Sequence, residues 1–297
     1  MRPPGNCAVP KFDPRAVDEF ELISTYFARG AAGEGVITGI GDDGAVLRAQ
    51  PGTDIVTVVD TLVAGTHFPP DLDPGAIGFR AVAVNLSDIA AMGARPRWMT
   101  LALTIPSADR DWLERFAEGL HSAAAEHGVA LVGGDTTSGA YVVVTVQITG
   151  EVDPGRMLLR SGAQVGDTIY VTGTLGDAAA GLAVLAEEQP SPSLVSRFLR
   201  PSARVAFGRA LAGCASAAID VSDGLVGDLG KLLAASKVGG EIDLERLPLS
   251  ADLEAAFDAE TVRRFALAGG DDYELCFTAR PQVLPDRGEL RVTAIGK

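Results

Sequence analysis

The sequence predicts a mixed α/β chain (α+β mixed sheets) that folds as two domains. Short runs rich in Val, Ile and Thr, which are typical of strands, alternate with longer segments whose apolar residues recur at helical spacing. Asp-Pro pairs and glycines stand at the ends of several segments, where helices begin or stop. A chain of 297 residues is also long enough for two domains of ordinary size.

The elements of the first half follow from spacing and from their end residues. Phe20, Ile23 and Phe27 recur at helical spacing, and the β-branched run DIVTVVDTLV predicts a strand. Gly93 and Gly128 are plausible helix stops. The predicted elements are, in order, a helix at 17–29, a strand at 54–63, a helix at 73–94, a strand at 97–105, a helix at 109–127, and strands at 129–132 and 141–148.

A turn at Asp153-Pro154-Gly155 predicts the boundary between the domains. We therefore divide the chain into a flexible extension at 1–16, an N-terminal domain at 17–152 and a C-terminal domain at 153–297. The elements predicted after the boundary are a strand at 167–172, a helix at 175–188, a loop at 187–193, a helix at 202–212, a strand at 217–221, a helix at 223–235, a mostly helical stretch at 251–267, and strands at 273–278 and 290–295.

The charge and the cysteines narrow the class of protein. Acidic residues outnumber basic ones 39 to 25, and the formal charge of −14 argues against binding to nucleic acids or anionic membranes. The apolar runs are too short to span a bilayer, and the N-terminus lacks the apolar core of a signal peptide. The three cysteines, Cys7, Cys214 and Cys276, indicate neither a disulfide framework nor a zinc site. We therefore expect a cytoplasmic protein.

Six segments place aspartate beside small residues, mostly at the end of an apolar run. They are GIGDDGAVL (39–47), VVDTLVAGTHF (58–68), VNLSDIAAMGA (84–94), LVGGDTTSG (131–139), IDVSDGL (219–225) and LAGGDDYEL (267–275). Strand ends are where α/β proteins bind ligands. Mg²⁺ prefers oxygen ligands and commonly bridges one or two carboxylates to phosphate oxygens. The pattern therefore predicts a site for several Mg²⁺ ions and a polyphosphate.

Each segment also has an ordinary structural interpretation. Asp223 fits a helix cap and Asp43 a turn, and the glycine-rich GTLGDAAAG (173–181) is either a phosphate cradle or a packed turn. His67 is either structural or functional. We find no P-loop, no protein-kinase signature and no nucleophile triad. The recurrence of six such segments favours the metal site over six unrelated turns.

Several motifs, taken in order, resemble the thiamine-monophosphate kinase family. They are GIGDDGAV, DTLVAGTHF, NLSDIAAMGARP, VGGDT, RSGAQVGDTIYVTGTLGDAAAGL, FLRPSARV, IDVSDGLVGDL and GGDDYEL, and the match runs from about Glu19 to the end of the chain. This family is part of a wider group of ATP-using enzymes that includes aminoimidazole ribonucleotide synthetase. The resemblance implies two α/β domains and a homodimer in which the N-terminal sheets build a barrel-like interface.

The resemblance also implies a reaction and a set of site residues. ATP would phosphorylate thiamine monophosphate to thiamine diphosphate, with ATP as co-substrate and several Mg²⁺ ions as cofactor. The attacking phosphate oxygen is anionic at neutral pH, so no catalytic residue is assigned beyond the metal carboxylates. The implied metal ligands are Asp42, Asp60, Asp88, Asp135, Asp220 and Asp223; the ATP contacts are Gly134, Asp135, Arg160 and Ser222; and the substrate contacts are His67 and Asp271.

Three departures from the family pattern keep other functions open. Val58 and Val59 replace hydroxyl residues before Asp60, and Asp271 replaces a glutamate. The chain also ends at IGK, before the family's C-terminal segment with an aromatic residue that stacks on thiamine. The alternatives are a sister enzyme with another phosphate acceptor and a non-catalytic protein that binds metal and nucleotide.

Overall fold

Two four-stranded sheets, one in each half of the chain, organise the protein. The computed structural model describes residues 19–28, 32–188, 190–280 and 284–297. The predicted extension at 1–16 and both ends of the predicted first helix lie outside these residues. None of the helices in the described ranges is long and apolar enough to cross a membrane.

The first half contains a mixed sheet with the order β3-β6-β4-β5, in which only β4 and β5 are parallel. Helix α1 continues directly into a π-helical turn at Ile23–Phe27. The elements are α1 (Glu19–Leu22), β1 (Val36–Thr38), β2 (Val46–Leu47), β3 (Asp54–Val63), α2 (Pro74–Ala91), β4 (Arg95–Ile105), α3 (Arg110–Glu126), β5 (Ala130–Ser138) and β6 (Val143–Val152).

Helices α2 and α3 pack together and cover one face of this sheet. Asp73 and Asp109 cap the two helices, and their carboxylates accept hydrogen bonds from the amides of Ala76 and Trp112. The other face of the sheet is open, and Ile55 and Val59 of β3 are 51% and 60% exposed there. The sheet does not close on itself within the described residues, and the predicted barrel-like interface between the sheets of two copies stays a prediction.

The second half contains an antiparallel sheet with the order β10-β7-β9-β8. Helices lie between its strands along the chain, and a 3₁₀ turn occupies Leu244–Arg246. The elements are β7 (Thr168–Thr172), α4 (Asp177–Val184), α5 (Pro192–Leu199), α6 (Val205–Leu211), β8 (Ala217–Val221), α7 (Leu225–Ser236), α8 (Ala251–Ala256), α9 (Ala259–Ala268), β9 (Glu274–Ala279) and β10 (Val292–Gly296).

Helix α2 joins the two halves. Nearly all of its residues are buried, because it packs on α3 and the first sheet and also on α6 and β8 of the second half. A helix in such a central position is expected to be mainly apolar, and the polar exceptions in α2 are Arg80, Asn85, Ser87 and Asp88. In the predicted turn at 153–155, the amide of Arg156 donates to the carbonyl of Asp153 at 3.0 Å.

The structure differs from the sequence predictions at several elements. Strand β5 continues to Ser138 instead of ending at 132, because Gly134 can approach β4 closely: a Cβ there would lie 1.9 Å from the Leu101 carbonyl oxygen. The predicted helix at 175–188 is shorter and ends at Val184. Three elements, β1, β2 and α5, have no counterpart among the predictions, and α5 begins inside the predicted loop at 187–193.

Candidate functional site

A cavity of about 660 Å³ lies between the two halves, and we call it the interdomain cavity. It is formed by the end of β3 with the loop after it, by α2 and α4, and by two loops of the second half. The lining residues used below are Asp60, His67, Phe68, Asp88, Asp220, Ser222, Asp223 and Asp271. A second cavity of about 390 Å³, the edge cavity, lies beside β5 and the loop at 40–45.

Three aspartates from different elements converge in the interdomain cavity. Burial, together with the negative charges of Asp220 and Asp60, raises the pKa of Asp88 to about 7. Burial raises the pKa of Asp220 to about 6, although Ser87 Oγ donates to its carboxylate at 2.8 Å. Burial also raises the pKa of Asp60. The cluster therefore holds more negative charge than its surroundings balance.

The chemistry of this cluster fits Mg²⁺ arriving with a phosphate. Over the described ranges, no group of three or more His, Cys, Asp and Glu side chains is arranged to hold a metal ion by itself. Mg²⁺ seldom requires such a cage, since it usually takes one or two carboxylates and completes its shell with water and substrate phosphates. Asp60, Asp88 and Asp220 provide hard oxygen donors of this kind on three rigid elements.

The loop between β8 and α7 is held by a residue that sequence reasoning missed. The buried carboxylate of Asp228 accepts hydrogen bonds from the amides of Ser222 and Asp223, each at 2.9 Å. Lys231 Nζ lies 2.6 Å from Asp223 Oδ2 and 2.8 Å from Asp228 Oδ1. Asp223 makes no side-chain cap to α7, whose N-cap position is Gly224. Asp223 is thus an exposed carboxylate paired with a lysine.

His67 lies in the wall of the interdomain cavity with its tautomer set by the backbone. Its Nδ1 accepts a hydrogen bond from the amide of Val63 at 3.0 Å. A neutral His67 therefore carries its proton on Nε2 and can act as a donor there. Phe68 and the prolines at 69 and 70 form an apolar wall next to it.

The glycine-rich turn at 173–181 is not an open phosphate cradle. The amide of Gly176, at the start of α4, already donates to both carboxylate oxygens of Asp272 at 3.0 and 2.9 Å. Burial raises the pKa of Asp272 to about 8. The structure therefore favours the ordinary packing interpretation of this turn.

The loop before β9 brings Asp271 into the interdomain cavity in an unusual backbone conformation. Asp271 and Tyr273 have positive φ angles of 60° and 51°. Asp271 Oδ1 accepts from Tyr273 Oη at 2.9 Å and lies 3.1 Å from Arg80 Nη2. Arg80 belongs to α2 and was not predicted as a site residue.

The remaining predicted residues lie elsewhere in the chain. Asp42, Gly134 and Asp135 line the edge cavity, where Asp42 Oδ1 accepts from the amide of Asp43 at 2.9 Å. Gly134 is in register with Asp60 across β4 and β6, three strand spacings or roughly 14 Å away. One metal ion cannot bridge that distance. Arg160 is exposed and lowers the pKa of Asp88 through its charge.

The fold and the site define a two-domain α/β protein with an aspartate-lined cleft suited to cations and phosphates. The family model "AIR synthase related protein, N-terminal domain" matches residues 41–152, and "AIR synthase related protein, C-terminal domain" matches residues 164–281. The thiamine-monophosphate kinase of Salmonella typhimurium is 49% identical over 289 residues, which are 95% of this chain and 87% of the relative.

Two solved structures agree with this assignment. The thiamine-monophosphate kinase of Stenotrophomonas maltophilia K279a has a TM-score of 0.86 and 42% identity, covering 95% of this chain and 94% of that one. A structure of AaThiL complexed with AMPPCP and TMP has a TM-score of 0.78 and 33% identity, covering 94% and 90%. This chain belongs to the thiamine-monophosphate kinase family.

Proposed function

We propose that this chain transfers the terminal phosphoryl group of ATP to thiamine monophosphate and so forms thiamine diphosphate. The observation that carries the proposal is the convergence of Asp60, Asp88 and Asp220 in a cavity between the domains of a chain nearly half identical to thiamine-monophosphate kinases. The carboxylates of such a cluster are stabilised by cations, and phosphoryl transfer requires cations at the phosphates.

Each predicted site residue keeps a proposed role. Mg²⁺ ions, when bound, would neutralise the charge that develops on the transferred group. The metal ligands are Asp42, Asp60, Asp88, Asp135, Asp220 and Asp223; the ATP contacts are Gly134, Asp135, Arg160 and Ser222; and the acceptor contacts are His67 and Asp271. His67 Nε2–H is a donor suited to an acceptor phosphate oxygen.

The chain's own residues position the reactants and do not need to remove a proton. The attacking oxygen of thiamine monophosphate is anionic at neutral pH, so catalysis depends on in-line alignment and charge neutralisation. Phe68 and the neighbouring prolines give the cavity an apolar wall that limits the access of water. Arg160, whose charge already acts on Asp88, is suited to a phosphate contact.

We also propose a homodimer in which the open faces of two N-terminal sheets form a barrel-like interface. The exposed Ile55 and Val59 on that face support such an interface. A second copy also accounts for Asp42 and Asp135, which line the edge cavity and not the interdomain cavity that holds Asp60. On this proposal residues 17–152 form the domain for ATP, metal and dimerisation, and residues 153–297 form the C-terminal α/β domain.

The decisive experiment is an incubation of the purified protein with Mg²⁺, ATP and thiamine monophosphate. Thiamine diphosphate is oxidised to its fluorescent thiochrome derivative and measured after chromatography. We expect product only when all three components are present. A folded protein that binds ATP and Mg²⁺ but forms no thiamine diphosphate would contradict the proposal, and a panel of other phosphate acceptors would then test for a sister enzyme.

A further inference from the structure

Arg80 makes an ion pair that crosses from one half of the chain to the other. It lies on α2 with a side chain only 1% exposed, and its Nη2 is 3.1 Å from Oδ1 of Asp271 in the loop before β9. Its Nη1 donates to the carbonyl of Phe198, whose ring lies 4.2 Å below the guanidinium. A buried charge of this kind requires partners, and Asp271 supplies the opposite charge.

Asp271 sits in a loop whose backbone conformation must be held by contacts. Positive φ angles at Asp271 and Tyr273 are disfavoured for residues other than glycine. The amides of these two residues donate to the carbonyls of Ser222 and Val221 at 2.9 and 2.8 Å. The loop is therefore fixed to the end of β8, which also carries the predicted metal ligand Asp220.

The two oxygens of the Asp271 carboxylate have different surroundings. Oδ1 receives both Arg80 and the hydroxyl of Tyr273, whereas the structure gives Oδ2 no hydrogen bond among the described residues. The side chain is 29% exposed and lines the interdomain cavity. One oxygen thus anchors the carboxylate and the other is available to a ligand.

We propose that Arg80 is the positioning residue for Asp271 and thereby helps to determine how tightly the phosphate acceptor binds. The inference rests on the proposed function, in which Asp271 contacts the acceptor. Arg80 lies eight residues before Asp88 on α2, about 12 Å along the helix axis. One rigid helix therefore sets both a metal carboxylate and, through Asp271, an acceptor contact.

A guanidinium suits this role better than an ammonium group. Its planar fork reaches the Phe198 carbonyl and the Asp271 carboxylate at the same time while it stacks on the Phe198 ring. Lysine would keep the charge but not this geometry. The proposal therefore predicts a graded series in which Arg80→Lys is intermediate between the wild type and Arg80→Met.

The test is steady-state kinetics with each substrate varied in turn. We expect Arg80→Met to raise the KM for thiamine monophosphate about ten-fold, with a much smaller change in the KM for ATP. Arg200→Met is the matched control, because Arg200 stacks on Phe79 of the same helix and pairs with Glu126 at the surface. An unchanged KM for the acceptor, or equal increases for both substrates, would overturn the inference.

A double-mutant cycle tests the pair without relying on turnover. Urea unfolding midpoints of Arg80→Met, Asp271→Asn and the double variant should be non-additive, because either change breaks the same ion pair. Additive midpoints would overturn the inference even if the wild type proved inactive towards thiamine monophosphate. Inactivity of the wild type would instead overturn the proposed function, so the two failures are distinguishable. Should Arg80→Met fail to fold, Arg80→Lys and Asp271→Asn provide the same comparison.

Discussion

The aspartates of the interdomain cavity differ in how their charge is balanced. Asp223 is paired with Lys231 and Asp271 with Arg80, at 2.6 and 3.1 Å. Asp60, Asp88 and Asp220 form no ion pair with any of the described residues, and burial raises the pKa of all three. Aspartate therefore serves two purposes in this cavity. Two carboxylates form ion pairs, and only the three without an ion pair have the electrostatic character of a cation site.

Replacement of Asp88 tests the unpaired set directly. Asp88→Asn should lower kcat by at least about 100-fold, since a proposed metal ligand is lost. It should leave the thermal unfolding midpoint unchanged or slightly higher, because one of several like charges is removed. Turnover and thermal unfolding are measured on the same preparation, with Asp111→Asn on the exposed start of α3 as control. A variant with wild-type turnover would remove Asp88 from the metal site.

Asp272 should make the stability of the protein depend on pH. Its pKa is about 8 in the folded protein, mainly because of burial, against about 3.9 in an unfolded chain. The folded state therefore binds the Asp272 proton more tightly than the unfolded chain does. The contribution of this proton to the free energy of unfolding is complete below about pH 4 and is lost as the pH rises towards 8. The expected slope is up to about 1.4 kcal/mol per pH unit.

Asp272→Asn removes this titration and keeps an oxygen that can accept from the Gly176 amide. Urea unfolding of wild type and variant between pH 5.5 and 8.5 should give curves that move apart as the pH rises towards 8, with the free energy of unfolding of the wild type falling relative to that of the variant. The comparison cancels the contributions of Asp88 and Asp220. Parallel curves would show that Asp272 is ionised throughout.

The sequence identifies the aspartates of the cavity but not the residues that hold them. Asp60, Asp88 and Asp220 stand out because each follows or interrupts an apolar run and has a serine or threonine within two residues. Arg80 carries no such signal, since its role arises from contacts with residues far away along the chain. Asp272 lies in the segment LAGGDDYEL, but the pattern does not show that its carboxylate binds the amide of Gly176. In the sequence, Asp228 and Lys231 resemble ordinary polar residues on one face of a helix. Only the structure shows that Asp228 binds the loop at 222–223 and pairs with Lys231.

At the scale of elements, the close packing of α2 on α3 depends on two glycines. A Cβ on Gly119 would lie 1.9 Å from the Gly75 carbonyl oxygen, and one on Gly78 would lie 2.1 Å from that of Phe116. The two backbones therefore approach each other more closely than side chains would allow. This contact fixes the position of α2, and so of Asp88, against the rest of the N-terminal half.

Gly119→Ala should destabilise the protein by about 1–3 kcal/mol, because the new methyl group has no space against the backbone of α2. The matched control is Gly230→Ala on α7, where a Cβ would meet nothing within 4 Å. There the substitution should stabilise the helix by about 0.5–1 kcal/mol. Urea unfolding measures both changes, and equal effects of the two substitutions would argue against the packing explanation.

The success of element prediction followed the strength of the local pattern. Strands β3 and β8 have the predicted bounds, 54–63 and 217–221, because their β-branched and apolar runs are bordered by clear breaks. Helix α5 escaped prediction since Pro192 and its neighbouring serines suggest a loop, whereas Leu194 and Phe198 bury one face of a short helix. Strands β1 and β2 are only three and two residues long, too short for any periodic signal.

At the scale of the whole molecule, the two halves are linked by more than the chain connection at 153–155. Helix α2 packs on both halves, the Ser87–Asp220 hydrogen bond crosses between them at 2.8 Å, and the Arg80–Asp271 pair crosses again. The interdomain cavity is thus bounded by contacts that resist separation of its walls. This packing determines how residues that are distant in sequence lie relative to each other. Local sequence patterns do not predict that arrangement.

Disruption of the open sheet face tests the proposed dimer. Ile55→Asp places a charge on that face, five residues from Asp60 along β3, and should convert a dimer to a monomer in sedimentation velocity. Val165→Asp is the control, because Val165 is 95% exposed in the other half. A monomeric wild type, or an Ile55→Asp variant that remains dimeric, would place the interface elsewhere or remove it.

The lining of the interdomain cavity has a consequence for the order in which ligands enter. Five aspartates line it, three of them without an ion pair, and no lysine or arginine lines it within the described part of the chain. A cavity of one charge sign attracts ions of the opposite sign and repels those of its own. Free ATP, a multiply charged anion, would be repelled, whereas ATP that already carries its cations would not. On the proposed function, the cation would therefore be required for ATP to enter the cavity as well as for phosphoryl transfer.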